Sequence, residues 1–213
     1  LNNLVVNSLA LLISFLLVNV NISTAREKEV FETPNRLNTY GMPGTIDNPS
    51  AEAFPEGQLS VSSSIFGGTI RTNLSFQITN SITVSFRYAR IPVLVSKYRG
   101  YRWDRSFDFH YLLTKEKSFF PAVAVGLRDF IGTGLYTGEY LVMSKSLGSR
   151  INISAGMGWG RLSGKNSFSN IFGLGNERIA FSSGFGGTIH SNHFFSGTNS
   201  PFFSLSYDVT PGL

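Results

Sequence analysis

From Gln58 onward the chain alternates apolar and polar side chains with period two, and this pattern predicts a succession of strands, each with one apolar face. Over Thr69–Thr79, Ile70, Leu74, Phe76 and Ile78 share a face with Thr72, while Arg71, Asn73, Ser75 and Gln77 take the other. Ile82–Ile91 sets Ile82, Val84, Phe86 and Tyr88 against Thr83, Ser85, Arg87 and Ala89. Arg105–Thr114 sets Phe107, Phe109, Tyr111 and Leu113 against Asp108, His110 and Leu112. Ala122–Phe130 and Arg150–Arg161 repeat the arrangement, with small residues such as Ala124, Gly126, Gly156 and Gly158 on the less apolar side. Leu59–Phe66 and Gly138–Leu147 follow it more weakly, and Pro201–Val209 supplies an eighth segment. No stretch after Ala25 carries a helical period.

Alternation alone fits a soluble sandwich as well as a membrane barrel. Three features favour the barrel. The polar faces hold small and hydrogen-bonding side chains instead of a dense Lys/Glu mixture. The segments cluster near the roughly 9–11 residues that cross a bilayer at barrel tilt. Aromatic residues such as Tyr88 and Trp159 stand towards one end of the apolar face, as in an interfacial girdle. Connection lengths agree. Asn80-Ser81, Lys115 to Phe120 and Gly148-Ser149 are short and fall on one side, whereas Pro92 to Asp104, Ile131 to Thr137 and Leu162 to about Ser200 are longer and fall on the other. Gly67-Gly68 is the exception. The expected fold is therefore all-β, an antiparallel up-and-down transmembrane β-barrel with about eight strands present over residues 58–213. The last residues, Thr210-Pro211-Gly212-Leu213, read as the entrance to another turn, so these strands are expected to be part of a longer barrel.

The amino terminus is of another kind. Leu4 to Val20 is a short apolar run, broken by Asn7, Ser8 and Ser14, followed by Ser23-Thr24-Ala25 and the charged run Arg26 to Glu29. It is short for the ~20 apolar residues of a membrane span and reads as a secretory signal peptide over 1–25, cleaved after Ala25. Residues 26–57 form a polar lead-in.

Composition narrows the function classes. Charged residues make up 15%, against roughly 25% in ordinary soluble domains, while 42% are hydrophobic and 14% aromatic. There is no cysteine in the 213 residues, which leaves no disulfide, thiolate metal site, cysteine nucleophile or acylated cysteine in them. A formal charge of +5 favours anionic partners. Behind a signal peptide these are lipopolysaccharide phosphates and acidic polysaccharide, and no nucleic acid is expected.

No constellation announces catalysis. Gly132 to Gly138 has GxGxxxG spacing and joins two strands, so it lacks the helix whose amino terminus would hold a phosphate. His190 and His193 form an HxxH without a nearby carboxylate, His110 stands alone, and a zinc site needs three or four convergent ligands. No GxSxG elbow occurs, and the Ser, His and Asp residues are scattered. No catalytic residue, cofactor or metal is expected. Gly156, Gly158 and Gly160 alternate along one strand, which indicates either a close-packed neighbour, a bend or a narrowed lumen.

The candidate contact residues are charged and aromatic. Arg71, Arg87 and Asp108, with Asn73, Gln77 and Asn152, face the presumptive lumen and would contact passing glycan. Arg128, Asp129 and Glu139 lie near the outward ends of neighbouring strands, where Arg128 is placed to pair with a carboxylate across the hairpin or to line a charged constriction. In the segment Lys97 to Arg105, Arg99, Tyr101, Arg102 and Trp103 interleave cations with aromatics, as an outer loop that binds anionic sugars or as an interfacial belt.

Particular runs resemble a known family. GMPGTIDNPSA from Gly41 to Ala51, VGLRDFIGTG from Val125 to Gly134 leading into EYLVMSK from Glu139 to Lys145, and GWGRL from Gly158 to Leu162 are similar to the YjbH type of exopolysaccharide-biosynthesis outer-membrane protein, a family also tied to group 4 capsule operons. The resemblance runs from about Gly41 to the last residue, and its most specific part is the Leu-Arg-Asp-Phe-x-Gly-Thr-Gly stretch. It implies a large outer-membrane β-barrel in a Gram-negative bacterium, acting in biosynthesis or export of exopolysaccharide or capsule beside other export proteins. It implies no catalytic residues. The expected role is that of conduit, scaffold or accessory factor. A barrel enzyme acting on lipid or glycan and a secreted β-sandwich adhesin are the alternatives.

Overall fold

The computed structural model describes residues 36–213, apart from 96–97, 149, 165–166, 176, 179–188, 190–193 and 210–213, with backbone alone at 94, 95, 98 and 99. The signal-peptide reading of residues 1–25 and the HxxH at His190 and His193 lie outside the described residues. Strands β1 (Gly44–Thr45) and β2 (Asn48–Pro49) form a small hairpin. Eight further strands follow: β3 (Leu59–Phe66), β4 (Thr69–Thr79), β5 (Ile82–Val95), β6 (Tyr98–Thr114), β7 (Ala122–Gly132), β8 (Gly138–Leu147), β9 (Ile151–Trp159) and β10 (Asn199–Tyr207). They make one curled antiparallel sheet in which spatial order equals chain order. The eight strands lie in one sheet, whereas a sandwich stacks two. β3 and β10 are its two edges, and neither pairs with the other among the described residues.

Local chemistry accounts for the hairpins. Gly67 and Gly68 both take positive φ, 56° and 77°, which a two-residue turn between twisted strands requires. Of the segment Pro92 to Asp104, expected as an outward loop, the described residues are instead strand. Ile91 pairs with Arg102 and Val95 with Tyr98, so β5 and β6 run on as a long paired ribbon. The reason lies in the composition of IPVLV and YRGYRW, rich in β-branched and aromatic residues that suit a pleated surface.

The two faces of the sheet are inverted relative to a protein with an apolar core. Twenty-three polar or charged residues are buried among those described, against twelve hydrophobic ones. In β4, Arg71, Asn73, Ser75 and Gln77 are buried, while Leu74, Phe76 and Ile78 are exposed. The exposed apolar face continues through Leu59, Val61 and Ile65 on β3, Phe107 on β6, Met143 on β8, and Phe203 and Leu205 on β10. The expected division of faces thus holds in β4, β5 and β6, where the buried face is mainly the polar one, while β7 and β8 bury Ala122, Ala124, Tyr140 and Val142.

What buries the polar face is the lead-in. Residues 36–57 cross the polar face from β4 to β10. Gly41 (φ +73°) meets β4 so closely that a Cβ would lie 2.5 Å from Asn73 Cβ. The Phe54 N–H donates to Gln77 Oε1 at 3.2 Å, the Ala51 N–H to Ser144 Oγ at 2.7 Å, and Asn48 Nδ2 to Phe203 O at 3.1 Å. Arg36 joins Glu52 at 3.0 Å and Asp208 at 2.9 Å. Polar strand side chains therefore find partners on a segment of the same chain, as buried donors and acceptors must.

At the far end of β9 the long connection folds back. Trp159, expected on an exposed girdle, is fully buried: Phe172 stacks on it at 5.2 Å and Phe195 meets it edge-on at 5.1 Å. The described part of 163–200 therefore covers the end of β9 at Trp159. The alternating glycines serve close packing. A Cβ on Gly156 would lie 2.5 Å from the Phe202 ring, and one on Gly158 would lie 2.4 Å from Leu162 Cβ.

Candidate functional site

The densest chemistry lies where β4 to β7 meet the lead-in. Arg71, Arg87 and Arg128 converge on one ring. Their guanidinium carbons stand 4.8, 4.9 and 4.1 Å from the Tyr40 centroid. Tyr136 closes the group, edge-on to Tyr40 at 5.9 Å and 5.2 Å from both Arg71 and Arg87. Register explains the first two. Asn73 pairs with Arg87 and Arg71 with Ala89, so both arginines point from adjacent strands to the same face.

Arg128 shares the buried phase of Ala124 and Gly126, just before a break in the pairing of β7 with β6. Phe107 pairs with Ile131 but Phe109 with Leu127, so Asp108 alone opposes three residues of β7. This bulge breaks the alternation, and Arg128 and Asp129 are both buried, at 2% exposure each. Asp129 takes φ 49°, a left-handed conformation that Asp tolerates better than most residues. Its N–H donates to Asp108 Oδ1 at 2.8 Å, and its Oδ2 accepts the Tyr136 N–H at 2.9 Å. Gly132 completes the turn, because a Cβ there would lie 2.1 Å from Asp129 Oδ1. The Leu-Arg-Asp-Phe-x-Gly run is thus the sequence of a bulge that buries Asp129 beside Arg128 and fixes Tyr136 next to Tyr40.

Charge compensation is uneven. Arg87 makes a fully buried ion pair with Asp108 at 2.7 Å. Arg71 and Arg128 have no ion pair among the described residues. Arg128 Nη2 donates to the Asp47 carbonyl at 2.6 Å and Arg71 Nη1 to Thr39 Oγ1 at 3.4 Å, both on the lead-in. Their cationic faces are otherwise met by the tyrosine rings, whose quadrupoles attract cations more strongly when water is excluded. Asp104, also buried, accepts from Thr133 Oγ1.

A second buried contact lies alongside. Tyr140 lies over its cross-strand partner Gly126, where a Cβ would meet the ring at 2.1 Å. His110 Nδ1 accepts from the Tyr140 hydroxyl at 2.9 Å, and Nε2–H donates to the Glu52 carbonyl at 3.0 Å. That pairing assigns the proton to Nε2, and with it His110 holds the lead-in. Asn152 Nδ2 donates to Glu52 Oε1 at 2.8 Å.

The structure separates other residues that the sequence grouped. Arg128 and Glu139 do not pair across the β7–β8 hairpin, because Arg128 shares the buried face of Ala124 and Gly126 and points to Tyr40. Glu139 instead receives a bidentate contact from Arg178 at 2.6 and 2.7 Å. Arg178 was not anticipated, since it lies in the Gly/Ser/Asn-rich connection with no periodicity around it. Tyr101 and Trp103 stand on the apolar face, whereas Arg102, one residue out of phase, stands on the opposite one, so the aromatic and basic segment is not a single patch. Arg99 is described in backbone only. Tyr40, the centre of the site, carried no recognisable signal beyond the run that begins at Gly41.

The arginine–tyrosine cluster is filled by the chain itself. A shallow cleft of about 180 Å³ lies elsewhere, lined by Gly160, Ser163, Arg178 and Thr198 among others, and is smaller than the ~300 Å³ of typical ligand sites. Among the described residues no three His, Asp or Glu side chains converge as metal ligands would.

Residues 36–213 match a family model described as exopolysaccharide biosynthesis protein YbjH. A relative from Escherichia coli (strain K12), named uncharacterized lipoprotein YjbH, is 29% identical over 205 residues, which cover 91% of this chain and 29% of the relative. The chain thus spans less than a third of that relative's length. No solved structure matches the chain.

Proposed function

The chain belongs to the YjbH family of exopolysaccharide biosynthesis proteins, and from that premise we propose that it is part of a β-barrel in the outer membrane of a Gram-negative bacterium, serving export of an extracellular polysaccharide as a scaffold or accessory factor. The observation that carries this reading is the inversion of the sheet. Arg71, Asn73, Gln77, Arg87 and Asp108 are buried while Leu59, Val61, Leu74, Phe76, Phe203 and Leu205 are exposed. In water so extensive an apolar face is a liability, and in hydrocarbon it is the stable arrangement. The name lipoprotein borne by the relative goes with a location in the cell envelope.

Two features refine the role. The backbone groups along the outer sides of β3 and β10 need partners in lipid, so further strands or another copy would complete the barrel. The polar face is filled by residues 36–57, which sets the scaffold role ahead of an open conduit. Glycan would reach Arg71, Arg87 or Arg128 only after that segment had moved. Lipopolysaccharide, the exported polysaccharide and other export proteins are the partners proposed.

The complete reading frame, expressed in a Gram-negative host, tests this directly. The protein should sediment with outer membrane and migrate differently on a detergent gel with and without boiling, and its deletion should lower polymer output. A soluble periplasmic or secreted product would overturn the membrane reading, and unchanged polymer output would overturn the pathway.

A further inference from the structure

A second constellation lies on the apolar face, towards the end of β5 and β6 where Val95 pairs with Tyr98. Register places Tyr88 opposite Arg105, Arg90 opposite Trp103 and Pro92 opposite Tyr101. The Tyr88 and Trp103 rings stack at 5.1 Å with 13° between their planes. Arg105 lies over Tyr88 at 5.5 Å and Arg90 over Tyr101 at 4.2 Å. Each guanidinium therefore rests on a tyrosine of the same aromatic cluster.

The charges in this cluster are unanswered. Neither arginine joins an ion pair among the described residues, and Arg90 Nε has no hydrogen-bond partner among them. The same face of β4 carries Ile70, Thr72, Leu74 and Phe76, and the neighbouring positions of β5 and β6 carry Val84, Phe86, Phe107 and Phe109, with no carboxylate. Asp104 and Asp108 are buried on the other face. Along the ribbon the surface changes from wholly apolar, where Phe86 meets Phe107 at 5.2 Å, to aromatic and cationic.

We propose that Arg90 and Arg105 seat the phosphates of a membrane lipid, of the phosphorylated glucosamine class that lipid A represents, with its acyl chains lying along Phe86, Phe107 and Phe109. Guanidinium forks match phosphate oxygens, and stacking on Tyr88 and Tyr101 holds those forks in place before the lipid arrives. Tyr and Trp supply the half-apolar, half-wet surface found where headgroup meets hydrocarbon. The inference rests on the reading of the exposed face as bilayer-facing.

The test uses the full-length protein in vesicles of phosphatidylethanolamine, with either diphosphorylated lipid A or its dephosphorylated counterpart added. Resistance to carbonate extraction and heat-modifiable migration show first whether the protein inserts; failure to insert overturns the membrane reading itself. For inserted protein, native mass spectrometry of lipids retained after detergent extraction should show a preference for the phosphorylated lipid of roughly tenfold or more, as two charge-assisted contacts would give. Arg90→Gln/Arg105→Gln should abolish that preference while keeping heat-modifiable migration, and the single variants should each reduce it. Equal retention of the two lipids by the wild type, or an unchanged preference in the double variant, overturns the assignment. Complete displacement by inorganic phosphate would also overturn it, as the mark of a soluble-anion site.

Discussion

The carboxylate of Asp108 accepts the backbone N–H of Asp129 at 2.8 Å, across the point where one residue of β6 faces three of β7. The same carboxylate, through Oδ2, receives Arg87 Nη1 at 2.7 Å. One side chain therefore fixes both the backbone of the bulge and one of the three arginines around Tyr40. Arg128 stands beside the bulge, and the Asp129 carboxylate within it fixes Tyr136. The cluster that holds the lead-in is thus braced by a local defect in strand pairing.

Asp108→Asn should be among the most damaging single changes, because it strips the partner from a buried cation while keeping the side-chain shape. Breaking such a pair costs about 3–5 kcal/mol. The double variant Arg87→Met/Asp108→Leu should recover a large part of that loss, as removal of both charges leaves none unanswered. Urea unfolding of the reconstituted protein, followed by gel mobility, measures both.

Gly132→Ala should destabilise the bulge without touching charge. The added methyl would lie 2.1 Å from Asp129 Oδ1 and 2.7 Å from the Arg105 carbonyl, and overpacking of this kind costs roughly 1–3 kcal/mol or more. Asp129→Asn should be tolerated, since Asn also accepts the left-handed conformation and the Tyr136 N–H. Asp129→Val, which does neither, should not be. The same unfolding assay ranks the three.

Tyr40→Leu should release the lead-in from the polar face. It removes three cation–ring contacts, worth on the order of 2 kcal/mol each at most when desolvated. Tyr40→Phe should keep most of the effect. Limited proteolysis reads it out, with cleavage within 36–57 accelerated in Tyr40→Leu and near wild type in Tyr40→Phe.

In the turn between β6 and β7, burial pushes the Glu116 carboxyl up, but hydrogen bonds from Lys145 and Ser146 outweigh it and hold the group below the ordinary glutamate value of 4.5. A carboxylate depressed in the folded state stabilises above its unfolded value, and that contribution disappears as pH falls through the folded value. Glu116→Gln should therefore lower stability at neutral pH and flatten its decline below pH 4.5, with the two proteins converging in stronger acid. Unfolding midpoints across that range check the sign.

Much of the strand architecture was legible along the chain. Six of the eight segments could be bounded to within two residues, because alternation reports directly on which side chains share a face of a pleat. Leu59–Phe66, Thr69–Thr79 and Gly138–Leu147 match the structure at both ends. The two longest strands were cut short at Ile91 and Arg105, since Pro92 and Gly100 read as punctuation although both sit within a paired ribbon. The polar side chains Arg71, Arg87 and Asp108 could likewise be assigned to one face, as period two requires.

What alternation cannot carry is the third dimension. Tyr40 lies 31 residues from Arg71 and 88 from Arg128, and no spacing rule joins an irregular segment to three different strands. Arg128 keeps the phase of Ala124 and Gly126, yet its place near the hairpin let it be read as a rim partner of Glu139 when it faces Tyr40, and the bulge buries Asp129 out of phase beside it. Trp159 looked like an exposed girdle because its phase was right, yet Phe172 and Phe195 cover it from a connection without any period. The sequence by itself determined the strands, their antiparallel order and the polarity of each face, because those follow from neighbours two residues apart. Only the tertiary structure decided what lies on the polar face and which charges are paired, because those depend on contacts between segments that the chain brings together only when folded.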